Sequence, residues 1–133
     1  IHVPFCMSKC NYCAFFSHAC ANPDWEKFCT QICNEIEYWG QKIPGTDVPT
    51  IFFGGGTPSL MPTWCIDKII QTIDENFQID KYAEITLESN PKTIDKQKLN
   101  DIKKGYHKVT FFYQSMNFTF AASRGFAFGV SAG

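Results

Sequence analysis

Long apolar runs are missing from this sequence. None approaches the roughly 20 residues that a membrane helix needs, and no stretch has the layout of a secretory leader, so no integral membrane segment is expected. A surplus of charge is missing too. The net charge of −1 leaves no electrostatic footprint for nucleic acid or an anionic membrane, and neither is expected as a partner. There is no internal repeat and no clear linker. At 133 residues the chain can enclose one core, but it falls short of the roughly 250 residues of a complete (β/α)₈ barrel. It opens on Ile1 rather than Met, so its true start is expected to lie upstream.

What is present is a core-forming composition, 44% hydrophobic and 19% charged. Seven cysteines is an odd number, and three of them crowd into residues 6–13. A secreted disulfide framework spaces an even number along a loop-rich chain. The rest of this sequence is regular, so the thiols are read as reduced or metal-bound, which places the protein in the cytoplasm.

The opening Ile1-His2-Val3-Pro4-Phe5 alternates like a short strand and runs into the cysteine loop. A helix is expected from Asn22-Pro23, a capping residue followed by proline at the first helical position, with Gly40 as its stop. Trp25, Phe28, Cys29, Ile32, Ile36 and Trp39 supply its apolar spacing. A buried strand over 49–53 ends in Gly54-Gly55-Gly56. A second helix opens at Pro62, with Ile66, Ile69, Ile70, Ile73 and Phe77 facing inward. A strand over 84–87 closes at Glu88-Ser89-Asn90-Pro91, a third helix covers 95–104 and stops at Gly105, and a fourth strand runs over 108–113. The alternation predicts an α/β fold of about four parallel strands with three covering helices, part of a TIM-like barrel. In such sheets ligands sit at the carboxyl ends of the strands, and the cysteines, the glycines, Glu88 and Gln114 all fall there. Residues 118–133 hold four Phe, one Arg and no acid, and are expected to be either a buried strand and turn or a truncated, divergent tail.

Cys6-x₃-Cys10-x₂-Cys13 brings three soft thiolates into one loop, which can wrap three irons of a cubic cluster and leave the fourth open. A zinc site wants four protein ligands, commonly from two short pairs. Only Cys10 and Cys13 make such a pair, although His2, His18 or Cys20 could complete a zinc set. Cys29, Cys33 and Cys65 lie on the expected helices and are read as small core residues, while Cys20 stays ambiguous.

Ile1-His2-Val3-Pro4-Phe5-Cys6, the three-cysteine spacing, Phe53-Gly54-Gly55-Gly56-Thr57-Pro58-Ser59, Glu88-Ser89-Asn90-Pro91 and Gln114-Ser115-Met116-Asn117 follow one another along the chain. Together they resemble the oxygen-independent coproporphyrinogen III oxidase family of radical S-adenosylmethionine (SAM) proteins. The resemblance spans residues 1–117, as the amino-terminal part of that core domain, with 118–133 as a divergent or truncated tail. It leans to the heme chaperone (HemW-like) branch, because the oxidase carries a further cysteine where Phe15 stands. Ala14, where that branch has an acid, and Arg124, whose spacing from Gln114 does not match, depart from the pattern.

The resemblance implies a [4Fe–4S] cluster on Cys6, Cys10 and Cys13, with SAM beside Tyr12, Gly55, Gly56, Thr57, Glu88 and Gln114. The glycines would let exposed backbone carbonyls and amides approach the methionine end of SAM. Glu88 would accept hydrogen bonds from it, and the bland alternative for Glu88 is a solvated strand end. The implied partners are heme or a porphyrinogen, heme-acceptor proteins, and an electron donor such as flavodoxin or ferredoxin. Three functions are carried forward: a heme chaperone, a radical SAM enzyme decarboxylating coproporphyrinogen III, and an inactive piece. A half barrel would leave an unpaired strand edge and an uncovered core.

Overall fold

The computed structural model describes residues 1–90 and 93–102 in full, and the backbone alone of 103–105, 108–113, 118–123 and 126–127. In chain order the elements are β1 (His2–Val3), β2 (Phe5–Cys6), β3 (His18–Ala19), α1 (Trp25–Lys42), β4 (Asp47–Gly55), a 3₁₀ turn (Pro58–Leu60), α2 (Thr63–Asn76), β5 (Gln78–Ser89), α3 (Lys96–Gly105), β6 (Lys108–Tyr113), β7 (Phe118–Ser123) and β8 (Phe126–Ala127). Strands β1, β4, β5 and β6 are neighbours in that order and run parallel, with one helix between each pair along the chain. This is the expected α/β arrangement of four parallel strands and three helices. Beyond β6 the direction reverses, and β7 and β8 continue the sheet antiparallel.

Helix α1 starts later than the sequence suggested. Its cap is Asp24 rather than Asn22, because the Asp24 carboxylate accepts the Lys27 N–H at 2.9 Å and so satisfies one of the first turn's open donors. Nor does Gly40 stop it. The helix runs on to Lys42, and Gly40 instead lets α1 approach α2, since a Cβ there would come within 2.7 Å of Asn76 Cβ. Trp39 is half exposed and packs edge-on against Tyr38 rather than into the core.

Strands β4 and β5 are longer than their apolar cores. Their ladder begins at Asp47↔Gln78 and shifts register between Val48 and Thr50. Pro49 stands at that break and has no N–H to give the ladder. Past it, side chains alternate strictly. Ile51 and Phe53 on β4, with Ala83, Ile85 and Leu87 on β5, are buried, while Phe52 is 51% exposed. The buried residues other than Ala83 pack with Phe28 and Ile36 of α1, Ile66, Ile69, Ile70 and Ile73 of α2, and Ile102 of α3 as one cluster. Burying each such side chain contributes roughly 1.5–3 kcal/mol. The helices therefore cover one face of the sheet, which fixes its strand ends and leaves Phe52 on the other face.

Candidate functional site

The cysteine loop is closed at its base by a two-residue ladder. Phe5 and Cys6 pair with His18 and Ala19, and backbone bonds of 2.9 Å run from His18 N to Pro4 O and from Cys20 N to Cys6 O. Inside the loop, Lys9 Nζ donates to Phe15 O at 2.7 Å, Ser17 O at 3.1 Å and Ser17 Oγ at 3.0 Å. A turn bond from Cys13 N to Cys10 O at 3.1 Å folds the middle. One ammonium group thus holds together a loop that has no core of its own.

Strand pairing brings the end of β4 against this loop. Gly54 N–H donates to Ile1 O, Gly56 N–H to Val3 O at 2.7 Å and Thr57 N–H to Phe5 O at 2.8 Å. Gly55, at φ +115°, turns its N–H to Glu88 Oε2 at 3.0 Å. All four amides are committed within the protein, so none is open to a ligand as the sequence suggested, and the Thr57 carbonyl is taken as well, by the Leu60 N–H. At Gly56 a Cβ would lie 2.6 Å from Phe5 O and 3.0 Å from Cys6 Sγ. Only glycine lets the backbone sit that close to the first cysteine. Thr57 Oγ1 then donates to Cys6 Sγ at 3.6 Å, tying the glycine run to the cysteine loop.

A cavity of about 490 Å³ opens at this junction, above the carboxyl ends of β4 and β5. Cys6, Cys10 and Cys13 line it, as do Tyr12, Gly56, Thr57 and Glu88. Gly55 stands behind the wall and meets the cavity through Glu88. Gln114 lies outside the described residues. Burial pushes the Glu88 carboxyl above its ordinary range, opposed by the Gly55 N–H and the nearby His2 ring. The exposed Tyr12 phenol is also pushed up, first by its hydrogen bond with the Cys10 side chain.

The three thiols share a cavity wall without converging on a point. Among the described residues no three His, Cys, Asp or Glu side chains gather closely enough to hold a single metal ion. His2 Nε2 is hydrogen-bonded with Phe16 O and the His18 ring packs edge-on against Phe5, and neither ring stands in a group of three such side chains. A cubic cluster is different, because it spreads its ligands over separate iron corners. Soft donors spaced around a cavity, with a glycine cradle beside the first of them, fit that group.

Several residues of this corner escape sequence reasoning. Ser59, Asn90 and Thr93 join the turn after β4 to the turn after β5, and Lys98 reaches back from α3 to Ser59 O. Burial pushes the Lys98 ammonium down, with Asp95 opposing. These contacts link residues far apart in the chain and leave no periodic trace, although Ser59 and Asn90 lie within the quoted motifs.

Comparison with known proteins agrees with this geometry. The family model of the radical SAM superfamily matches residues 1–125. The heme chaperone HemW of Synechocystis is 37% identical over 109 residues, covering 77% of this chain and 26% of that protein. The HemW of Buchnera aphidicola from Schizaphis graminum is 34% identical over 119 residues, 88% of this chain and 32% of that protein. The chain therefore spans about a third or less of the length of these curated relatives. Among solved structures, coproporphyrinogen III oxidase (HemN) from Escherichia coli, described as a radical SAM enzyme, superposes with a TM-score of 0.71 at 25% identity, over 88% of this chain and 27% of that one.

Proposed function

This chain belongs to the radical SAM superfamily, and on that premise we propose that it binds a [4Fe–4S] cluster through Cys6, Cys10 and Cys13, binds SAM beside it, and serves as the amino-terminal core portion, residues 1–117, of a heme chaperone. The observation that carries the reading is the junction at Gly56, where the end of a parallel strand reaches Cys6 Sγ across a cavity shared by all three cysteines. When bound, such a cluster supplies one-electron chemistry on SAM.

The chain's own residues do the rest. Thr57 holds Cys6, and Lys9 holds the loop that carries Cys10 and Cys13. Glu88, fixed by Gly55 N–H, accepts hydrogen bonds from donors of SAM, and Gln114 adds a polar contact. Tyr12 stands over the mouth beside Cys10. All seven cysteines are free thiols, which fits a reducing compartment such as the cytoplasm. Flavodoxin or ferredoxin would supply electrons, and heme-acceptor proteins would take the cargo.

Phe15 favours the chaperone, since the oxidase branch has a cysteine there. The likeness to HemN supports a second reading, in which a porphyrinogen is decarboxylated. Adding heme to the cluster-loaded protein, and assaying the same sample with coproporphyrinogen III and SAM, separates the two. The chaperone reading predicts saturable heme binding, seen as a shifted Soret band, with no decarboxylated product. Turnover without heme binding would replace it with the oxidase.

A further inference from the structure

The glycine run ends in a threonine whose hydroxyl does not do what its position invites. Thr57 stands at the N-cap of the 3₁₀ turn, half-buried between the buried Gly56 and Pro58. A threonine hydroxyl at such a cap ordinarily accepts a backbone N–H of the first turn. Here it makes no such bond. The Leu60 N–H goes to Thr57 O at 2.9 Å, and the hydroxyl donates instead to Cys6 Sγ at 3.6 Å.

The backbone keeps donor and acceptor together. Thr57 N–H is held by Phe5 O at 2.8 Å, one residue before the cysteine, and Cys6 O accepts the Cys20 N–H at 2.9 Å. Both side chains therefore hang from backbone that is fixed by hydrogen bonds. A sulfur that accepts a hydrogen bond carries negative charge more easily. Reducing an iron–sulfur cluster puts further negative charge on its sulfurs, so a donor aimed at a ligand sulfur favours the reduced form. Partial burial strengthens such a bond relative to one made in water.

We propose that Thr57 tunes the reduction potential of the cluster, its hydroxyl raising that potential through the bond to Cys6 Sγ. In this role Thr57 is a positioning residue that acts on the cluster through Cys6. This rests on the cluster reading above and is distinct from the SAM contact that the family resemblance implies for Thr57.

The test compares Thr57→Val, which keeps the shape and loses the hydroxyl, with Thr57→Ser, which keeps the hydroxyl. Both are made in the full chain and loaded with cluster anaerobically. Redox titration followed by EPR, without SAM, reads the cluster alone. The valine variant is expected to load iron like the parent and to shift the one-electron equilibrium about threefold to tenfold towards the oxidised cluster, equivalent to about 30–60 mV. The serine variant is expected to titrate with the parent. A valine variant that loads fully and titrates with the parent overturns the proposal, as does a serine variant shifted as far as valine. A valine variant that folds but takes up no iron overturns it too, and marks Thr57 as a residue of cluster retention. Should valine unfold the chain, Thr57→Ala carries the same prediction, and loss of the fold there as well overturns the tuning role in favour of a structural one. If the parent itself takes up no cluster, the cluster reading fails first and takes the Thr57 role with it.

Discussion

Six of the seven cysteines, all but Cys20, fall into two settings. Cys10 is exposed and Cys6 and Cys13 are half-buried around a cavity, in a loop held by a lysine and a two-residue ladder. Cys29, Cys33 and Cys65 are 4%, 6% and 0% exposed between α1 and α2. There Thr72 Oγ1 donates to Cys33 Sγ at 3.3 Å, and Cys29 Sγ lies 3.9 Å from Cys65 O. Burial pushes the Cys29 and Cys65 thiols up, so they stay protonated at neutral pH. A metal ligand must be a thiolate, which burial disfavours at Cys29 and Cys65, and all three core thiols are closed off between helices, while the first group borders an open cavity. Surroundings, not residue type, divide these cysteines into proposed ligands and core.

The comparison breaks if the same substitution acts alike in both groups. Cys6→Ala should reduce the iron content after reconstitution to background while leaving the unfolding transition nearly unchanged. The glycine cradle comes next. Gly56→Ala forces a Cβ against Phe5 O and Cys6 Sγ, and should cost about 1–3 kcal/mol in urea and lower iron occupancy as well. Cys65→Ala should do the reverse of Cys6→Ala, with full iron content but a loss of about 1–2 kcal/mol from the void under α2.

The smallest effect falls on Glu88, whose folded carboxyl holds its proton more tightly than the unfolded chain does. Its contribution to stability is full at acid pH and is lost as pH rises from the ordinary carboxylate range through the raised folded value. Glu88→Gln removes that loss. Melting curves taken without SAM should coincide near pH 4 and separate by about 1–2 °C in the variant's favour by pH 7.

That the first group shares one cavity was legible in the sequence because its three cysteines lie within one loop, and because strand-end residues in parallel sheets gather near one another. The core cysteines were legible from helical spacing alone. What the sequence hid was set by long-range or side-chain geometry. Asp24 rather than Asn22 caps α1 because its carboxylate reaches Lys27 N, and Gly40 serves helix contact because Asn76 lies opposite. At the start of β5, Gln78 and Ile79 extend the strand because β4 offers Asp47 and Val48 as partners. The amides of Gly55, Gly56 and Thr57 looked available to a ligand, yet Glu88, Val3 and Phe5 take them.

The most direct test of the account is EPR of the reduced, anaerobically reconstituted chain, with and without SAM. The account predicts a [4Fe–4S]⁺ signal that changes when SAM is added, vanishes in Cys6→Ala and persists in Cys65→Ala. Folded protein that takes up no cluster, or a signal that survives Cys6→Ala, would contradict it.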